Sequence, residues 1–337
     1  MDKRLSFLLA IIALLILRPI VAQDMAYPIE GDGIYSFLQR WNRMDSTYVS
    51  EFIHMNRERI NAQGGLELGT VYLIPPLHPG DVYPPHEKES EPTDRNIFGS
   101  KYRHFSLTSN RLKGTCFYII SGHGGPDPGA IAKVNGRELH EHEYAYDVSL
   151  RLARNLMMEG ATVYVIIQDP NDGIRDDMYL NNSDRETCMG KPIPRNQLER
   201  LKQRVNEVNA LYSKNKHHFS YARSIEIHVD SRNKGKRVDV FFYHAMDEQS
   251  RLLASAIRDI FRQKYDRHQP GRGFQGTVAY RELYTLRNLQ PPSILVELGN
   301  IQNPFDRRRI MNSNNRQALA NWIKDGILND YDRATNK

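Results

Sequence analysis

From about residue 112 onward, short runs rich in β-branched and aromatic residues alternate with longer stretches whose apolar positions recur every three to four residues. Residues 117–120, 162–167, 224–228, 238–243 and 294–298 are of the first kind and predict strands. Residues 143–159, 198–214, 249–264 and 316–328 are of the second kind and predict amphipathic helices. Strand and helix in alternation imply an α/β body with a mostly parallel sheet flanked by helices, because parallel neighbours need a crossover between them. In such sheets sites gather at the carboxyl ends of the strands. The residues that follow each strand therefore matter most.

Upstream the pattern is different. Residues 5–17 are an almost wholly apolar run, preceded by Lys3 and Arg4 and followed by Arg18 and Pro19. Such a run is too short to span a bilayer, which takes about 20 residues. With a charged start and the small residue Ala22 before a cut, it reads as a secretory signal peptide over 1–22. The mature chain is then expected to be periplasmic or secreted, with no stable membrane span after cleavage; an uncleaved anchor is the alternative. No cysteine follows the cut, so lipid attachment there is not expected. Residues 26–76 form a compact mixed segment, 77–112 read as a linker whose first part is rich in proline and charge, and 113–331 make up the α/β body.

Composition narrows the class. With 40% hydrophobic residues, 12 Phe and 18 Tyr, the chain can build a globular core, which excludes wholesale disorder and collagen. The net charge of +6 loses +2 with the leader, where Lys3, Arg4 and Arg18 oppose Asp2, and the remaining +4 is mild. Lys and Arg are scattered, and the runs at 234–237 and 307–309 lack interleaved aromatics. They read as solvated faces, so no nucleic-acid partner is expected, whereas an anionic polymer outside the cell suits such a surface. Cys116 and Cys188 cannot make a four-cysteine zinc site. Two readings stand for them: a disulfide, stabilising by roughly 4 kcal/mol in an oxidising compartment, or inert buried thiols.

The strand ends carry the chemistry. Strand 117–120 runs into Ser121-Gly122-His123-Gly124-Gly125, strand 224–228 ends on His228, and strand 294–298 holds Glu297 in an apolar context. A carboxylate there is costly unless it is paired or used. With the acidic run Glu138-Leu139-His140-Glu141-His142-Glu143 before a helix, these residues are the inventory of a two-histidine, one-carboxylate zinc site. Such a set leaves a fourth position for water, as hydrolytic zinc requires. Satisfied core or surface histidines are the competing reading.

A series of motifs in fixed order carries a family resemblance. Gly122-His123-Gly124-Gly125, Asp127-Pro128-Gly129-Ala130-Ile131 and Leu139-His140-Glu141 resemble the GHGG, DPGAI and L-x-E segments of the zinc-dependent N-acetylmuramoyl-L-alanine amidases. Leu201, Arg204 and Asn209, then the strand 224–228 closing on His228, then Leu295-Val296-Glu297-Leu298-Gly299 with Asn303-Pro304, continue the match through about residue 331. The resemblance implies that His123, Glu141 and His228 bind Zn²⁺ and that Glu297 is the catalytic carboxylate. Glu141 is preferred over Glu138 and Glu143 by the L-x-E frame, with Asp147 six residues later. It also implies the reaction: hydrolysis of the amide between N-acetylmuramic acid and L-alanine of peptidoglycan, in daughter-cell separation or wall turnover. Any protein activator is unspecified by the sequence.

Some positions depart from the family pattern. Ile120-Ser121 replace its Asp-Pro, Val229-Asp230 its Ala-Asn, and Asn300 its Phe. The carboxylate partner of the first histidine is therefore expected to be missing or to come from elsewhere. Residues 170–194, rich in Asn, Asp and Gly, form a long loop that either frames a substrate groove or is an inert excursion. His217 and His218 read as surface, His140 and His142 as flanking residues, and His244, after a strand, as the best candidate outside the motifs for contacting substrate.

The segment before the linker has a resemblance of its own. Gly31-Asp32-Gly33-Ile34-Tyr35-Ser36-Phe37-Leu38, then residues 52–56, then Leu66, Gly69, Tyr72, Ile74 and Pro75 resemble the LysM module, a small βααβ unit that binds wall glycan. A packing domain without sugar affinity is the other reading. Two other functions remain beside the amidase: a catalytically inactive wall-binding or regulatory protein, and a zinc peptidase acting within the stem peptide.

Overall fold

The computed structural model describes residues 25–26, 28, 32–39, 43, 45–67, 70–76, 78, 93–231 and 236–335. The leader expected over 1–22, and most of the proline-rich stretch before residue 93, lie outside the described residues. The chain divides into two bodies, 1–87 and 88–337.

In the first body, β1 (Met25–Ala26), α1 (Ile34–Gln39), α2 (Ser46–Met55) and β2 (Tyr72–Leu73) follow one another, and the two strands pair antiparallel. Asp45 caps α2 by accepting from the amides of Thr47 and Tyr48, which satisfies donors that have no partner within the helix. Phe37, Leu38, Phe52, Tyr72 and Ile74 form its core. Asn56 fixes the return strand, its side chain donating to Phe52 and Leu73 carbonyls and accepting from Leu73 N.

The second body begins earlier than its strand pattern suggests. Thr93 N donates to Val163 O, and Thr93 Oγ1 accepts from Val165 N at 2.7 Å. A 3₁₀ turn at Arg95–Phe98 then buries Phe98, and Leu112 is buried in the same core. Residues 93–112, expected to belong to the linker, are thus packed chain. Their anchors are single apolar residues separated by polar ones, which leaves no period to read.

Next come β3 (Thr115–Ser121), the hairpin β4 (Ile131–Val134) and β5 (Arg137–His140), α3 (Glu141–Met158) and β6 (Thr162–Val165). An excursion follows, in which β7 (Ile167–Gln168), β8 (Thr187–Cys188) and β9 (Lys191–Pro192) form a small antiparallel sheet. The chain continues through α4 (Gln197–Asn215), β10 (Tyr221–Asp230), β11 (Phe241–His244) and α5 (Glu248–His268). It ends with β12 (Val278–Tyr280), α6 (Tyr284–Asn288), β13 (Ser293–Asn300), α7 (Pro304–Met311) and α8 (Ser313–Thr335).

Among the described residues six strands form one sheet in the order β12-β11-β13-β10-β3-β6. It is parallel except where β11 meets β13, so the expected mostly parallel sheet flanked by helices is what the chain forms. One face, with Phe117, Ile119, Ile225, Ile227, Val296 and Leu298, packs under α3, α5 and α8. The other, with Cys116, Tyr118 and Ile120, packs under Val208 and Leu211 of α4. Cys116 and Cys188 are both buried free thiols, so the buried reading holds rather than the disulfide. Burial pushes their pKa values up to about 12 and about 11. Among the described residues no helix is long and apolar enough to cross a membrane.

A buried charge cluster ties the last helix to α3 and to the loop after β7. Asp147 on α3 accepts from Arg316 Nε at 2.6 Å and Arg151 Nε at 2.7 Å, and also from the backbone of Arg175. Arg316 donates further to the carbonyls of Ile310, Met311, Arg175 and Asp177. Removing one partner leaves the other charge buried and uncompensated. Asp147→Ala is expected to lower the unfolding free energy by about 3–5 kcal/mol, read from urea unfolding. A loss under about 1 kcal/mol would mean that the cluster is not an anchor.

Candidate metal centre

The site forms where β3 and β10 end and α3 begins. Its first residue, His123, has a φ of 61°, in the left-handed region that non-glycine residues seldom occupy. Two neighbouring glycines are needed for reasons of space. A Cβ on Gly122 would stand 2.3 Å from Cε1 of His228, and one on Gly129 would stand 2.7 Å from Cδ2 of His123. The loop 122–129 can therefore fold tightly against the second histidine only with glycine at these positions.

Glu141 opens α3 and turns its buried carboxylate toward both imidazoles. Its Oε1 lies 3.3 Å from His123 Nε2 and 3.1 Å from His228 Nδ1, and accepts from Val229 N at 2.9 Å. The other oxygen accepts from Ala130 N at 2.8 Å. Burial by itself would raise the pKa of this carboxyl, but the two imidazoles hold it well below the ordinary carboxylate range. Against burial, Glu141 and Glu226 raise His228 well above its usual value, and Asp127 and Glu141 raise His123. His123, Glu141 and His228 thus form a group whose ligand atoms all lie within 4.8 Å of one another.

The nitrogens that face away from Glu141 each meet a carboxylate. His123 Nδ1 is 3.0 Å from Asp127 Oδ2, and His228 Nε2 is 3.2 Å from Glu226 Oε1. Asp127 is in turn held by Arg200 at 2.7 Å, and Glu226 accepts from Thr285 Oγ1 at 2.6 Å. A carboxylate on the outer nitrogen fixes the tautomer, so the inner nitrogen presents a lone pair to a cation. The partner of the first histidine, expected to be missing or to come from elsewhere, comes from elsewhere: it is Asp127, four residues on. His123 and His228 side chains keep 27% and 16% of their surface exposed, so the group is reachable from solvent.

Glu297 is in register with His228 on the neighbouring parallel strand β13, so both side chains project from the same face, about 5 Å apart along the sheet. The other acidic candidates lie elsewhere. Glu138 is exposed and pairs with Lys133, while Glu143 is buried against Arg175 at 2.9 Å. His217 and His218 are exposed. His244 does not approach the site, because β11 runs antiparallel to β13. That direction sets His244 opposite Ile294, three residues from the position opposite Glu297 and toward the other end of the sheet.

A second buried group was not foreseen from the sequence. His142 Nε2 lies 3.2 Å from Glu143 Oε1 and 3.2 Å from Glu186 Oε1, and the other ring nitrogen is 3.2 Å from Pro128 O. Burial opposes charge on this ring, but the two carboxylates push its pKa up to about 10. Glu186 comes from the excursion after β7, and no spacing in the chain links it to residue 142.

Residues 118–329 match the family model described as N-acetylmuramoyl-L-alanine amidase. The germination-specific N-acetylmuramoyl-L-alanine amidase of Bacillus subtilis is 25% identical over 223 residues, 64% of this chain and 80% of that protein. The probable cell wall amidase LytH of Staphylococcus aureus is 26% identical over 222 residues, 65% of this chain and 59% of that protein. Among solved structures, the N-acetylmuramoyl-L-alanine amidase AmiC2 of Nostoc punctiforme aligns over 66% of this chain and 97% of that one, at 22% identity and a TM-score of 0.45.

The close approach at Gly122 is open to test. Gly122→Ala is expected to cost about 1–3 kcal/mol by overpacking and to shift the ring resonances of His228, read by urea unfolding and histidine NMR. Unchanged stability and resonances would mean that the loop has room to spare.

Proposed function

The chain belongs to the N-acetylmuramoyl-L-alanine amidase family, and on that footing we propose that it is a zinc hydrolase cleaving the amide between N-acetylmuramic acid and L-alanine in peptidoglycan. The reading is carried by the donor set: two imidazole nitrogens and one carboxylate oxygen converge, and each imidazole is backed by its own carboxylate. Mixed nitrogen and oxygen donors of this kind suit zinc, and three protein ligands leave a position for water or substrate. Zinc bound there supplies Lewis acidity, lowering the pKa of water toward about 7 and polarising a carbonyl.

The protein's own groups do the rest. His123, Glu141 and His228 hold the ion, with Asp127 and Glu226 keeping the two rings oriented. Glu297 takes a proton from the attacking water and delivers it to the departing nitrogen. The water oxygen joins the lactyl carbonyl carbon, the carbon–nitrogen bond breaks, and the stem peptide leaves with a free L-alanine amine. The site lies at strand carboxyl ends, where α/β sheets place their ligands.

In this reading the leader over 1–22 exports the chain and the enzyme acts outside the cytoplasm. The first body is a LysM-like wall anchor, supported by its strand–helix–helix–strand order and the Asn56 clasp on the return strand. Tethering raises local substrate concentration without new active-site contacts. Wall turnover or daughter-cell separation is the process served.

Digestion of purified peptidoglycan, with and without a chelator, tests the reaction through product masses. Free stem peptides and bare glycan strands are expected, lost with chelator. Shortened stems would indicate a peptidase, and an unaltered wall a binding protein. Glu297→Ala is expected to abolish cleavage while retaining a full equivalent of zinc by elemental analysis; turnover by the zinc-loaded variant would remove Glu297 from its role. Deleting residues 24–76 is expected to abolish co-sedimentation with peptidoglycan. If the shortened chain sediments as before, the first body is not the anchor.

A further inference from the structure

The excursion between β7 and β8, which the sequence leaves as either groove wall or inert loop, reaches back into the metal centre. Glu186 stands immediately before β8, which pairs on both sides within the small antiparallel sheet and so gives the residue a firm base. Its side chain is only 2% exposed. One oxygen accepts from Gly125 N at 2.7 Å, and the other lies 3.2 Å from His142 Nε2. Gly125 is two residues beyond His123, and His142 is one residue beyond Glu141. A single buried carboxylate therefore joins the two segments that carry these site residues.

The rest of the same loop shows why that link matters. Gly122 N is held by Ile227 O, and Gly124 forms a narrow bridge with Asp127. Pro128 O is met by both the backbone and the ring of His142. His123, in its left-handed conformation, lies between these fixings. The amide of Gly125 has a buried acceptor in Glu186, and without it a polar N–H would be left in the interior, which costs free energy. The loop then gains by opening, and His123 opens with it.

We propose that Glu186 is a positioning residue for the metal centre: through Gly125 and His142 it fixes the loop 122–129 against the start of α3, and so sets the distance between His123 and Glu141. The consequence for metal rests on the donor set read above, whereas the consequence for the loop does not. Removing the carboxylate frees the loop, and restoring an oxygen of the same reach recovers much of the order.

The test uses the whole mature chain with Glu186→Ala and Glu186→Gln. In metal-free protein, hydrogen exchange of peptides covering 122–130 is expected to quicken at least tenfold in the alanine variant and far less in the glutamine variant, while peptides from α5 stay unchanged. Zinc affinity, measured by competition with a chromophoric chelator, is expected to fall about 10–100-fold in the alanine variant and to recover in part with glutamine. Unchanged exchange over 122–130 overturns the proposal whatever the metal result. A wild-type chain that binds no zinc overturns the donor-set reading instead, and the exchange measurement still decides this one. Should the alanine variant not fold, the Gly125 amide of the wild type decides: protection comparable to the core is expected, and free exchange overturns the proposal.

Discussion

The carboxylate of Glu141 is the constraint on which the rest of the site depends. It is buried, and an ion in that position is tolerable only if every oxygen is satisfied. Val229 N, Ala130 N and the two imidazoles meet that need, and they come in pairs from two segments that meet the start of α3 as the third: Val229 and His228 from the end of β10, Ala130 and His123 from the loop after β3. The first residue of α3 thus gathers three chain segments into one corner. Its place at a helix start also favours negative charge, because the amides of the first turn point toward it.

Around that carboxylate the charges alternate outward. Imidazoles surround Glu141, carboxylates back the imidazoles, and Arg200 and Thr285 complete Asp127 and Glu226. Arg204, buried on α4, donates to the His123 carbonyl and lies close enough to Glu226 and Asp127 to favour both as anions. Helices α4 and α6 therefore do more than cover a sheet face. They carry the partners that let a cluster of ionisable groups persist out of water. The Asp147 cluster does the same on the opposite face, and through Arg175 it continues to Glu143, which adjoins His142 and Glu186.

Much of this could be read from the residues, and what could not has physical reasons. Short runs built on Ile, Val and Leu mark the buried strands, so 224–228 and 294–298 stand out and fall inside β10 and β13. Strand direction is a different matter, since the period of two is the same for parallel and antiparallel pairing. For that reason His244 looked like a strand-end residue near the chemistry, although β11 runs the other way. The same strand starts at Phe241 rather than 238 because Val238 N donates to Asp306 Oδ2 instead of to a neighbouring strand. Glu186 gave no signal: it is one carboxylate in a polar stretch, and only the fold brings it to Gly125.

The departures from the family pattern show how a site can tolerate change at its edges. Ile120 and Ser121, where the family has an acidic residue and a proline, are buried at the end of β3, and Ile120 packs in the apolar layer under α4. An acidic partner at that point would need its own compensation in the core. Here the left-handed turn at His123 folds the chain back on itself, and Asp127 reaches the ring from within the same loop. Asn300 likewise exchanges an apolar contact for hydrogen bonds, donating to Lys236 O and accepting from Gln302 N. It thereby stitches the segment after β13 to the chain entering β11. In both places the role passes to a polar group close in sequence or held by backbone, which leaves the geometry of His123, Glu141 and His228 independent of the residues that changed.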